Sequence, residues 1–159
     1  QSNKGYRVLK KLGNVGYHCW INEDSVALFL TGTPHTLAVA QLSTGKTEVI
    51  ASDIGRCMKY DSSGNLYFVQ KTQSDVWVLK SYQMVDKTIN TICQMPPNRE
   101  DFELLPNGSF ITGDGSTIKS FNPEKDGSWV VAFDLSDQNI MNINRVNIIR
   151  DRLVFINNK

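Results

Sequence analysis

The chain has 159 residues, of which 40% are hydrophobic and 21% charged, and its formal net charge is +1. This length suits one domain with a sizeable core, and the composition is that of an ordinary globular protein. Scattered lysines and arginines form no basic stripe, which argues against nucleic acid as a partner. No apolar run approaches the roughly 20 residues of a transmembrane segment.

Short apolar alternations follow one another along the whole chain. The first, in the opening QSNKGYRVLKK, predicts a strand at 5–13, and others include SVALFL, TLAVAQL, NLYFVQ and RLVFIN. Turn formers such as NED, STGK, DSSGN and NPEKDG separate them, and helical periodicity is nearly absent. Short strands with turns at this spacing predict an all-β protein.

A strand, a tight polar turn and a second strand recur as one unit. The copies are GYHCWINEDSVALF, GRCMKYDSSGNLYF, EDFELLPNGSFIT and NRVNIIRDRLVFI, which begin at positions 16, 55, 100 and 144. Two further strands follow each of the first three copies. Four antiparallel strands in about 40 residues predict a blade of a β-propeller.

The blades are expected to form one domain over 1–159. Their predicted bounds are 16–54, 55–99 and 100–143, with a half blade at 144–159 and the strand 5–13 left from a preceding blade. The chain would then hold about three and a half blades, which we interpret as part of a larger propeller. Alternatively, the leading strand completes the half blade and closes a four-bladed ring.

One polar residue opens the first strand of each repeat: His18, Arg56, Asp101 and Arg145. Equivalent positions in successive blades lie at the same height around a propeller axis. We therefore expect these side chains to converge at one mouth of the central channel. Adding Trp20, which shares a strand face with His18, and Glu100 gives the candidate axial site: His18, Trp20, Arg56, Glu100, Asp101 and Arg145.

Two interpretations of this site stay open. The arginines and the imidazole suit a carboxylate, another small anionic ligand or a carbohydrate. Alternatively, Arg56 and Arg145 bridge Asp101 and staple the blades together. We assign no catalytic residue, because the chain has no hydrolase elbow, zinc-protease motif or phosphate loop. We also expect no cofactor and no metal, since arginines at the site would disfavour a cation.

The aromatic and sulfur side chains are expected to serve packing. Trp77 and Trp129 should fill the space between blades, and Trp20 is the tryptophan most suited to ligand contact. The three cysteines are widely spaced and odd in number, so they indicate buried thiols in strands rather than disulfides or a zinc site: Cys19, Cys57 and Cys93.

The blades resemble those of the bacterial TolB-like, WD-repeat-like propellers. The likeness rests on GYHCWINEDSVALFLTGTPHTLAVAQLSTGKTEVIASDIGR, EDFELLPNGSFITGDGSTIKSF and WVVAFDLSDQNIMNINRV. These stretches match a strand entered by H-x-W, a P-D-G type of turn and a TG hairpin. The family's SPDG turn is replaced here by YDSSGN, LPNG and IRD.

The resemblance implies a six-bladed fold, a periplasmic or secreted location and binding of other proteins. We therefore expect a non-enzymatic, protein-interacting module, with a homodimer through exposed blade faces as one arrangement. The alternative is a propeller lyase or hydrolase that acts on carbohydrate at an axial His/Arg site. Fold alone does not decide between these functions.

Overall fold

The computed structural model describes Leu9 and residues 12–158. The chain divides into two compact units, residues 1–54 and 55–159, and each is described by itself. The predicted strand at 5–13 lies largely outside the described residues.

The first unit is one four-stranded antiparallel sheet with the strands in chain order. Its inner pair, β2 and β3, is largely buried, whereas β1 and β4 are mostly exposed. The run SVALFL is apolar at almost every position because the central strand β2 packs on both faces. The strands are β1 (Val15–Trp20), β2 (Ser25–Leu30), β3 (Thr36–Gln41) and β4 (Thr47–Ser52).

The second unit contains two four-stranded antiparallel sheets and one two-stranded sheet. The first has β5 (Ile54–Tyr60), β6 (Asn65–Gln73), β7 (Val76–Gln83) and β8 (Thr88–Gln94). The next has β9 (Glu103–Leu104), β10 (Phe110–Asp114), β11 (Thr117–Phe121) and β12 (Val130–Asp134), and a 3-10 turn at Ser136–Gln138 follows. The last is the hairpin of β13 (Ile143–Ile149) and β14 (Arg152–Asn157).

Apolar side chains fill the spaces between successive sheets of the second unit. Between the first two sheets, the Phe110 ring meets Tyr67 and Phe102 edge-on, at centroid distances of 5.2 and 6.0 Å. Trp77 and Trp129 pack against the same cluster, as predicted for tryptophans between blades. A second cluster joins the β9–β12 sheet to the β13–β14 hairpin: Ile111, Ile118, Ile143 and Val146.

Gly113 shows how tightly the last two sheets approach. A Cβ atom at this position would lie 2.5 Å from Cγ2 and 2.7 Å from the carbonyl oxygen of Ile143. Such distances are far inside van der Waals contact, so only glycine fits on β10 where it faces β13.

The architecture confirms the predicted fold class, an all-β β-propeller of four-stranded antiparallel blades. Three sheets are complete blades and the hairpin supplies the inner two strands of another, which agrees with the predicted three and a half blades.

Candidate functional site

Charged side chains from β5, β6 and the segment just before β9 form a compact ion-pair cluster in the second unit. Arg56 on β5 places Nε 3.0 Å from Oε1 of Glu100 and Nη2 3.2 Å from Oδ2 of Asp101. Lys71 on β6 approaches the other oxygen of Glu100 at 2.7 Å and lies 4.2 Å from the ring centroid of Trp77. The guanidinium of Arg56 is thus shared between two carboxylates of the next blade.

Both the backbone carbonyl and the side-chain carboxylate of Asp101 accept hydrogen bonds. The hydroxyl of the buried Thr112 donates a 2.7 Å hydrogen bond to the Asp101 carbonyl oxygen. Burial raises the pKa of the Asp101 carboxyl, and attraction to Arg56, a hydrogen bond from Arg56 and attraction to Arg145 offset this effect only in part. The carboxyl therefore sits in a partly desolvated place where its charge depends on the arginines.

A second ion pair, which the sequence did not reveal, joins the inner strands β5 and β9. Lys59 on β5 donates a 2.6 Å hydrogen bond to Oε2 of Glu103, whose residue is only 7% exposed. The same oxygen accepts the backbone N–H of Ile148 at 3.4 Å, and Oε1 accepts that of Leu104 at 3.0 Å. One buried carboxylate thus connects β5, β9 and β13.

The first unit carries an apolar groove beside the exposed strand β1. Its volume is about 260 Å³. His18 and Trp20 stand at its edge with their rings perpendicular and their centroids 6.2 Å apart. Trp20 is 56% exposed. The lining is almost entirely aliphatic and aromatic: Leu9, Leu12, Val15, His18, Trp20, Val26, Leu28 and Leu42.

The predicted axial residues fall into two groups. Arg56, Glu100 and Asp101 come together in the second unit, and Arg145 lies close enough to Asp101 to lower its pKa. His18 and Trp20 lie in the first unit on the groove. A ring that includes both groups stays a prediction.

The cysteines agree only in part with the expectation of buried thiols. Burial raises the pKa values of Cys57 and Cys93 to about 12, and the Cys57 thiol donates to the carbonyl oxygen of Phe102 at 3.2 Å. All three cysteine residues are half-buried rather than fully buried, and Cys19 lies on the mostly exposed β1.

Among the described residues, no group of three or more histidine, cysteine, aspartate or glutamate side chains is arranged to hold a metal ion. The charged groups of the ion-pair cluster pair with one another, since each carboxylate there contacts a lysine or an arginine. This arrangement can staple neighbouring blades, whereas the groove offers apolar and aromatic contact to something outside the chain.

Across the described part of the chain, the structure has no helix that is long and apolar enough to cross a membrane.

Comparison with known proteins identifies the fold and no family. No family model matches the chain, and no curated protein matches it. A chain in the crystal structure of a nidogen/laminin complex is similar in structure, with a TM-score of 0.63 and 14% sequence identity. The match covers 84% of this chain and 51% of that one, so this chain spans about half its length. That structure contains a β-propeller, and the likeness supports the same fold here.

Proposed function

We propose that the chain is a non-enzymatic β-propeller module that binds a partner protein through the groove at His18 and Trp20. The observation that carries this proposal is a large aromatic side chain, Trp20, left 56% exposed at the edge of an apolar depression. Exposed tryptophans beside apolar depressions are typical of residues that dominate protein–protein binding energy.

The neighbouring side chains extend the proposed contact surface. Val15, which is on the same strand and also lines the groove, is 42% exposed. His18 adds a polar ring that can donate or accept a hydrogen bond beside the apolar floor. An apolar centre with a small polar contribution is the composition of a protein-binding surface.

The ion-pair cluster supports a binding role over catalysis. Arg56 and Lys71 are both engaged with Glu100, and Arg56 also contacts Asp101. A substrate anion would have to compete with carboxylates already held by these cations. This cluster is better suited to joining blades than to turning over a ligand.

The test is photo-crosslinking of the purified chain in extracts of its native cells, followed by affinity measurement with the partner so identified. Trp20→Ala should weaken binding at least about tenfold, because it removes the largest contact surface of the groove. Val49→Ala is the matched control, since Val49 is 61% exposed on β4 of the same sheet and does not line the groove. Equal binding by wild type and Trp20→Ala would refute the groove as the binding site. Specific binding of a sugar or a small anion in the groove, instead of a protein, would refute the proposal that the ligand is a protein.

We also propose, from the blade motifs, a TolB-like role and a periplasmic or secreted location in a bacterium. The support is the H-x-W entry at His18 and Trp20 and the turn-and-hairpin pattern of the blades. Fractionation of the native cells with an antibody to the chain tests the location. Recovery in the cytoplasmic fraction alone would contradict it.

A further inference from the structure

The β13–β14 sheet differs from the other three sheets in the number of its strands. Each of the others has four antiparallel strands, whereas this sheet has two. In the complete sheets a third strand pairs with the second, as β3 does with β2. Within Leu9 and residues 12–158, β14 pairs with β13 and with no other strand.

The backbone of β14 can accept another strand. In an antiparallel pair, the N–H and C=O groups of alternate residues point toward the partner, and those of the remaining residues point the other way. The register of β13 with β14 runs from Ile143 opposite Asn157 to Ile149 opposite Arg152. Half of the polar backbone groups of β14 are therefore directed at its open edge, which is a template for strand addition.

The side chains of β14 alternate between two environments. Leu153 and Phe155 are half-buried against the apolar cluster that joins this hairpin to the preceding sheet. Val154 and Ile156 point to the other face, where they are 45% and 50% exposed. The edge thus combines backbone groups that no other described strand pairs with and β-branched side chains, a combination that favours pairing over solvation.

We propose that β14 pairs antiparallel with β14 of a second copy of this chain. Two hairpins joined in this way make one four-stranded sheet in the order β13-β14-β14-β13, which restores the strand number of the three complete sheets. The arrangement is a closed two-fold contact that uses the same strand of both molecules.

The sequence of β14 is compatible with such self-pairing. With the two-fold axis at Phe155, Val154 lies opposite the partner's Ile156, and Ile156 lies opposite the partner's Val154. Both are contacts between β-branched aliphatic side chains on one face, which are favourable cross-strand pairs. Arg152 lies opposite the partner's Asn158, so no like charges meet across the strands.

The proposed β14–β14 interface is small, and its size determines how tightly the dimer should associate. One strand of six residues from each molecule buries less surface than a standard stable interface. The dimer should consequently be weak and form with increasing concentration. The groove at Trp20 belongs to the other unit, so Trp20→Ala should leave this association unchanged and the two proposals can fail separately.

Sedimentation and light scattering from about 5 to 500 µM, where so small an interface should associate, provide the first test. The wild-type mass should rise from the monomer value of 17.9 kDa toward twice that value. Ile156→Lys should weaken association about tenfold, because it replaces both cross-strand aliphatic pairs with a charge. Val131→Lys is the control, since Val131 is 57% exposed on the edge strand β12 and should not matter.

A mass that stays monomeric over this range overturns the proposal. So does a dimer that survives Ile156→Lys or one that Val131→Lys disrupts equally. If Ile156→Lys does not fold, hydrogen exchange on the wild type replaces it. The amides directed at the open edge of β14 should become protected as concentration rises, and a dimer without that protection refutes the strand pairing.

Discussion

Two carboxylates close together in the chain, Asp101 just before β9 and Glu103 on β9, have different hydrogen-bond partners. Glu103 receives Lys59 and two backbone N–H groups, so both of its oxygens have donors. Asp101 receives Arg56 on one oxygen, and burial raises the pKa of its carboxyl despite the nearby guanidinium. The Asp101–Arg56 pair therefore stabilises the fold less than a pair with every polar atom hydrogen-bonded would. Removing the Asp101 carboxylate nevertheless leaves the Arg56 charge with only Glu100 to neutralise it.

Asp101→Ala should lower the free energy of unfolding by about 2 kcal/mol. This is less than the loss expected when a fully buried ion pair is broken, because Glu100 still pairs with Arg56. Asp101→Asn should cost less, since it keeps a hydrogen-bond acceptor and removes a charge that burial disfavours. Urea unfolding at neutral pH measures both. Asp75→Ala on the exposed β6–β7 turn is the control, and an Asp101→Ala variant as stable as this control would contradict the stapling role.

Asp61 organises the turn between β5 and β6. Its Oδ1 accepts the backbone N–H groups of Ser63 and Asn65, both at 2.9 Å, and its Oδ2 accepts the Tyr67 hydroxyl at 2.8 Å. Burial acts to raise the pKa of Asp61, but these hydrogen bonds and one from the Asn65 side chain outweigh it and lower the pKa below its ordinary value of 3.8. The ionised carboxylate is the form that the turn stabilises.

Asp61 should therefore make stability depend on pH in the acid range. Because the folded-state pKa is depressed, its contribution is present above the ordinary value of 3.8 and is lost as pH falls through the folded value. Asp61→Asn should be less stable than wild type by about 1 kcal/mol at pH 7, a value kept low by solvent exposure. Urea unfolding at a series of pH values from 7 downward should show the stability difference between wild type and variant decreasing once the pH is below 3.8. A stability difference that does not change with pH would contradict a role for the ionised Asp61.

At the scale of the elements, sheet-to-sheet contact depends on the absence of one side chain. Gly113 on β10 faces Ile143 on β13 at a distance that leaves no space for a Cβ atom. The obstacle includes a backbone carbonyl, which cannot rotate away as a flexible side chain can. The two sheets would have to separate to accommodate any other residue.

Gly113→Ala should destabilise the protein by about 3 kcal/mol, the upper part of the usual cost of overpacking, because the added methyl meets backbone. Gly127→Ala is the matched control, since a Cβ at Gly127 would have no atom within 4 Å. Thermal unfolding of both variants gives the comparison. Equal transition temperatures would show that β10 and β13 are not in close contact in solution.

At the scale of the whole molecule, the blade pattern could be predicted because its signals are local. Alternating apolar residues and turns such as DSSGN specify strand pairs, and the repeat converts strand pairs into blades. The partnership of Lys59 with Glu103 could not be predicted, because their separation of 44 residues does not specify which charges share a height on adjacent strands. No sequence pattern indicates that Gly113 faces Ile143. The groove could not be predicted from the repeats either, because it is lined in part by Leu9 and Leu12, which precede the first repeat.

The contacts between sheets of the second unit also govern how that unit is assembled. Arg56 with Asp101, Cys57 with Phe102 and Glu103 with Ile148 each join residues 45 apart in the chain. Since the entropy of closing a loop changes slowly with its length, docking each new sheet carries nearly the same entropic penalty as docking the one before. Contacts between neighbouring sheets of this kind make the stability of the unit approximately a sum of the sheet stabilities and the sheet-to-sheet contacts. The hairpin of β13 and β14 packs on one sheet among the described residues of this unit, so we expect it to open more readily than the β9–β12 sheet.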